Sequence, residues 1–151
     1  MQAFTESETP AGTSTDWAIL VAAWMVALSA SFGALFIGEV MGQTPCLLCW
    51  HQRVFMFPLA IVLGIACYRN DTDIWRYTLP LAIVGCLLAA FHSLLYFGVV
   101  SEAMVPCSSA GPSCASADMT ILGGVPIPLL SLAAFSLVAI VLALIPRSRH
   151  R

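Results

Sequence analysis

The sequence predicts an all-α membrane protein: a bundle of four transmembrane helices with the N and C termini both cytoplasmic. Composition, four apolar runs of bilayer length and the placement of the arginines predict it together. Of 151 residues, 60% are apolar and 9% charged, against about 45–50% and 25% in an ordinary soluble domain. Mean hydropathy is +0.91. A water-facing surface cannot be built from such a chain, which excludes a soluble globular enzyme and a disordered tail. The six basic residues are all arginine, too few to neutralise many phosphates, so no nucleic-acid partner is expected.

A bilayer core about 30 Å thick needs roughly 20 apolar residues at a helical rise of about 1.5 Å each. The first such run is 17–40, broken only by Glu39 at its far end. The second is 47–68. Its uninterrupted part, Val54 to Tyr68, spans only about 22 Å as a helix, so the crossing must begin near Leu47 and include Arg53. The third is 78–100, carrying His92, and the fourth is 127–145, closed by Pro146. Backbone groups in lipid must bond within their own segment, which makes these runs helices. Residues 1–16 read as a disordered polar tail, and residues 147–151 as a basic cytoplasmic tail. The first run resembles a cleavable leader at Ala27-Leu28-Ser29-Ala30. It is preceded by Glu6, Glu8 and Asp16 rather than by basic residues, so a retained anchor is expected.

Arg69 and Arg76 follow the second run, and Arg147, Arg149 and Arg151 follow the fourth. The other side, residues 42–45 and the loop 101–126, holds no basic residue. The positive-inside rule then places both termini in the cytoplasm and that loop outside. This topology sorts the six cysteines. Cys46, Cys49, Cys107 and Cys114 fall on the oxidising side as two close pairs, where disulfides persist. Cys67 and Cys86 fall deeper and read as small buried hydrophobes. Ser29, Gly33, Ala34 and Gly38 read as small-residue helix packing.

Cys46-Leu-Leu-Cys49 opens a helix, where residues three apart are about 5–6 Å from each other, within reach of a disulfide. A helix N-terminus also favours a thiolate over a thiol. Arg53 lies one turn deeper on the face of Cys49. A static staple needs no intramembrane arginine, and an ionisable residue at that depth is a functional candidate. Cys107 to Cys114 closes a short polar loop whose disulfide gains little from chain entropy; such bonds tend to exchange. Ala103-Met104-Val105-Pro106 before it suits the groove of a partner and presents Cys107 to it. By helical rise Arg53 and His92 lie about 9 and 12 Å below the outer surface and can border one site.

Two redox pairs on one face suggest a thiol relay, and its electrons need an acceptor. No motif for a nicotinamide, flavin or haem is present. A lipid-soluble quinone needs only a crevice between helices, where Arg53 can donate to a quinone oxygen and His92 can supply protons. No resident metal is expected.

Pro45-Cys-Leu-Leu-Cys-Trp-His-Gln-Arg53 resembles the signature of the DsbB/BdbC family of disulfide bond formation proteins. Phe91-His92-Ser-Leu-Leu95 and Val125-Pro-Ile-Pro-Leu-Leu-Ser-Leu-Ala-Ala-Phe135 support the resemblance, which runs from Trp17 to Ile145. The seven-position spacing of Cys107 and Cys114, and Gln52 before Arg53, look more like the BdbC branch. The resemblance implies a thiol:quinone oxidoreductase of the bacterial inner membrane that reoxidises a DsbA-like thioredoxin-fold oxidase. It implies that the partner attacks Cys107, that Cys114 exchanges with Cys46, and that Cys49 and Arg53 meet ubiquinone or menaquinone. A vitamin K epoxide reductase-like protein carries its loop pair before its C-x-x-C, the reverse of the order here. The remaining alternative is a disulfide-stapled or metal-binding scaffold without catalysis.

Overall fold

The computed structural model describes residues 14–101, 113–114, 120–121 and 124–148. Helix α1 covers Ser14–Leu35 and continues into one π-helical turn, Phe36–Val40. Helix α2 is Leu47–Arg69 and helix α3 is Trp75–Tyr96, joined through a 3-10 turn at Thr72–Ile74. A two-residue strand β1, Thr120–Ile121, pairs antiparallel with β2, Val125–Pro126, directly before helix α4, Ile127–Ser148. All four helices are long and apolar enough to cross a membrane. Each of α1 and α3 packs on both α2 and α4, which places α2 and α4 diagonally across the bundle.

Local chemistry marks the helix ends. Cys46 is the N-cap of α2, its extended backbone turning the chain into the helix while its sulfur accepts from the Cys49 N–H at 3.4 Å. Asn70 closes α2 in the left-handed conformation at φ 57°, donating to the carbonyls of Ala66 and Cys67. Leu20, Ala23, Ala27, Leu59, Leu63, Ala82, Val138 and Leu142 are fully buried between the helices. Val54, Ile61, Leu87 and Ile140 point outward and are more than half exposed. In water that pattern would be costly; against lipid tails, as apolar as the side chains themselves, it costs nothing.

Three expected boundaries shift. The expected tail, residues 1–16, gives up Ser14, Thr15 and Asp16 to α1, where Asp16 is fully buried in the first turn. A carboxylate there suits the positive end of the helix. Residues 1–13 lie outside the described residues. The third helix begins at Trp75 and ends at Tyr96, short of Val100. Gly98, at φ +72°, donates to Leu95, and Val99 donates to Leu94, both at 3.0 Å. That reciprocal pair is a Schellman stop built on a left-handed glycine, whereas apolar composition alone ran on through Val99 and Val100. The fourth helix continues past Pro146 to Ser148, since a proline in a membrane helix forfeits a single backbone bond and its neighbours absorb the loss.

Candidate dithiol site and cavity

The two sulfurs of the C-x-x-C stand 3.3 Å apart, both as free thiols. This proximity follows from the local fold: Cys46 caps the helix and Cys49 comes one turn later, on the same side. Cys46 is buried and Cys49 half-buried. From α3, 46 residues away in sequence, His92 brings Nε2 to 3.7 Å from the Cys46 sulfur. Its other ring nitrogen, Nδ1, lies 3.1 Å from the side-chain nitrogen of Gln52. An amide NH2 only donates, so Nδ1 accepts and the ring proton sits on Nε2, facing Cys46.

A directed chain results: Gln52 donates to His92, His92 to Cys46, and Cys46 to Cys49. Successive donors polarise one another, and the chain ends on Cys49 as acceptor. The hydrogen bond to Cys49, reinforced by burial, pushes the Cys46 thiol up to about 12, while His92 acts against that shift. Cys46 is therefore held as a thiol until a reaction draws on it.

Arg53 turns the other way. Its guanidinium donates to the Ala34 carbonyl at 2.8 Å, lies 5.3 Å from the Trp50 ring and rests over Gly38. A Cβ at Gly38 would stand 3.0 Å from a guanidinium nitrogen, so the glycine makes room for the charge. The π-helical turn that follows Ala34 reshapes α1 beside this contact. Behind Arg53 opens a cavity of about 780 Å³ between α1, α2 and α4, within the size range of small-molecule and cofactor sites. Its walls are largely apolar, among them Met25, Ile37, Met56 and Leu130, with Cys46, Cys49, Gln52 and Arg53 on one side.

Cys114 is fully buried and packs in one cluster with Cys46, Leu48 and Leu95, against which Cys49 and Phe91 also rest. The described member of the loop pair thus sits beside the dithiol. Cys107 lies outside the described residues. The β1–β2 hairpin, which the sequence did not announce, is tied to the start of the site by Gln43 donating to the Thr120 carbonyl at 3.4 Å, and Ile121 lines the cavity.

Two expectations change. His92 was expected to border one site with Arg53; it faces Cys46 instead and is absent from the described cavity lining, because α3 touches α2 on the side away from α1. Ser29, Gly33 and Ala34 line the cavity rather than closing a helix–helix seam, their short side chains leaving the space open. Gln52 entered the sequence reading only as part of the family signature, with no role in the site. A neutral polar side chain three positions after Cys49, on a membrane-spanning helix that is apolar from Val54 to Tyr68, was the available signal. Cys86 stands 3.2 Å from the Ser136 hydroxyl and Cys67 packs on the main core, both remote from the dithiol.

The comparisons follow the same line. Residues 15–145 match the family described as "Disulfide bond formation protein DsbB". The chain is 52% identical over 138 residues to a "Probable disulfide formation protein" of Metapseudomonas resinovorans, covering 91% of this chain and 96% of that one. It is 39% identical over 126 residues to "Disulfide bond formation protein C" of Bacillus subtilis, covering 83% and 91%. No solved structure matches. With its four membrane-spanning helices and a dithiol at the head of the second, the chain belongs to the DsbB family of disulfide bond formation proteins.

Proposed function

We propose that this chain is a membrane thiol:quinone oxidoreductase that reoxidises a DsbA-like thioredoxin-fold oxidase and so sustains disulfide formation outside the cytoplasm. One observation carries the proposal: the Cys46–Cys49 dithiol has Cys114 packed against it on one side and opens on the other into an apolar cavity walled by Arg53. A scaffold staple needs neither. The arginines at the opposite end, Arg69 and Arg76, support both termini being cytoplasmic, with the dithiol facing outward in the bacterial inner membrane.

The chemistry runs on the chain's own sulfurs. Cys107 takes the attack of the partner's thiolate, and Cys114 leaves. Cys114 attacks Cys46 of the Cys46–Cys49 disulfide, and Cys49 leaves as a thiolate at the cavity wall. A second partner thiol releases oxidised partner and frees Cys107, which recaptures Cys114 and expels Cys46. At that step negative charge develops on the Cys46 sulfur, where His92 Nε2, 3.7 Å away, points its proton at the sulfur and stabilises it. His92 therefore serves Cys46 rather than the acceptor. A quinone in the cavity supplies a two-electron, two-proton acceptor, ubiquinone and menaquinone both offering the same carbonyl chemistry. The cavity suits such a ring in volume and apolar lining, and Arg53 would hold its oxygen and the charge that develops there.

The test is quinone reduction by the purified protein with a reduced DsbA-type partner as donor, both quinones being offered. Wild type is run beside Cys49→Ser and Cys107→Ser. Turnover abolished by either substitution supports the relay; a folded protein inert with every quinone and partner returns the chain to a stapled scaffold.

A further inference from the structure

The reduced dithiol and His92 have a property that electron relay does not require. The two sulfurs and a His92 ring nitrogen all lie within 4.8 Å of one another, from two helices and in a buried setting. Around a tetrahedral Zn2+, with bonds of about 2.3 Å to sulfur and 2.0–2.1 Å to nitrogen, neighbouring ligand atoms stand about 3.5–3.8 Å apart. Here the sulfur–sulfur distance is 3.3 Å and the Cys46 sulfur to His92 nitrogen distance is 3.7 Å. Those two contacts need adjustments of only a few tenths of an ångström, and the third, from the Cys49 sulfur to the His92 ring, starts within 4.8 Å and closes by a side-chain rotation to make three ligands of one ion.

We propose that the reduced Cys46–Cys49 pair and His92 bind a thiophilic d10 cation of the Zn2+ class, which holds the dithiol reduced. The donor set selects the class: two sulfurs and an imidazole, with no carboxylate, suit Zn2+ and its softer relatives and not Mg2+ or Ca2+. Charge selects it as well. Two thiolates and a divalent ion sum to zero with a neutral imidazole, so a buried site needs no further counter-charge. Gln52 supports the ligand. Turned end for end, its amide presents oxygen to an Nδ1 proton, leaving Nε2 as the metal-binding lone pair, the arrangement that orients most metal-binding histidines.

Binding is not a redox step. Two S–H bonds release their protons, two metal–sulfur bonds form, and no electron moves. Oxidation to the disulfide removes both sulfur ligands, so the site exists in one redox state only. The consequence is an ion-dependent brake on disulfide generation, and the site itself does not depend on the acceptor being a quinone.

The experiment uses the full chain with Cys107→Ser and Cys114→Ser, which removes the other outer pair, in detergent and without oxygen. Zn2+ is titrated against a chromophoric chelator in the reduced chain, the disulfide form, and the reduced chain with His92→Gln. The expected result is one Zn2+ per reduced chain, none in the disulfide form, and affinity lower by at least about tenfold in His92→Gln. Equal affinity with and without His92, or binding to the disulfide form, overturns the proposal. A second readout needs no substitution in the site. Zn2+ should protect Cys46 and Cys49, but not Cys67 or Cys86, from alkylation, and should slow their oxidation by diamide. Unprotected Cys46 and Cys49 refute the site. Neither readout uses quinone, so a failed relay and a failed metal site remain distinguishable.

Discussion

Replacing Gln52 by Leu removes the donor from His92 Nδ1, a ring nitrogen on a residue with no exposed surface. A buried polar group left without its partner costs about 1–3 kcal/mol. Interhelical hydrogen bonds in membrane proteins have averaged nearer about 0.6 kcal/mol, with a maximum of about 1.7. Gln52 is 6% exposed and its bond to His92 is 3.1 Å long, so the upper part of that range applies. Gln52→Leu and His92→Phe should each destabilise by about 1–2 kcal/mol, because each strands the other's polar atom. The double variant strands neither, and two apolar groups of similar size replace the pair. It should therefore lose about 1 kcal/mol less than the sum of the singles. Unfolding in detergent mixtures of rising SDS content, followed by helical signal, measures all four corners of the cycle. Relay turnover gives a second axis: about a hundredfold loss for His92→Phe and a smaller loss for Gln52→Leu, which changes only the ring's proton placement. Singles that add within about 0.3–0.5 kcal/mol would show that the two side chains act independently, and the donor chain would have to be abandoned.

Other consequences follow from the same geometry. Gly33 has open space on its Cβ side and lines the cavity, so Gly33→Leu should raise the quinone KM at nearly unchanged stability; an unaltered KM would place the acceptor elsewhere. Arg53→Met should lower quinone reduction by about 10²-fold while exchange of Cys46–Cys49 with a small dithiol proceeds at its wild-type rate, and equal losses in both assays would make Arg53 structural. A Cβ at Gly85 would overlap the buried Phe135 ring, so Gly85→Ala should cost about 1–3 kcal/mol, relieved by adding Phe135→Leu; a neutral single variant would contradict that packing. Cys46, pushed up to about 12, binds its proton through the neutral range, and its thiolate fraction grows about tenfold per pH unit below that value. Its alkylation in the reduced protein, read by mass spectrometry, should keep rising from pH 7 to 10 without a plateau; a plateau near pH 8 would contradict the hydrogen bond to Cys49.

The membrane class and the four helices were legible in the chain because bilayer thickness and backbone satisfaction are constraints on length and composition. The C-x-x-C contact was legible too, since i and i+3 on one helical turn meet whatever the rest of the molecule does. Helix ends were less so. The Phe97-Gly98 stop on α3 and the entry of Asp16 into α1 depend on single-residue geometry that an apolar count overlooks. What only the tertiary structure decided are the partners from other helices: His92 at Cys46, Gln52 at His92, Ala34 at Arg53, Cys114 beside the dithiol. The three hydrogen bonds among them span 19 to 46 residues, and no periodicity encodes which faces of two apolar helices meet. The cavity is of the same kind. Small residues on α1 announce close approach, but whether the space beside them is filled by another helix or left open is settled by how three helices pack around it.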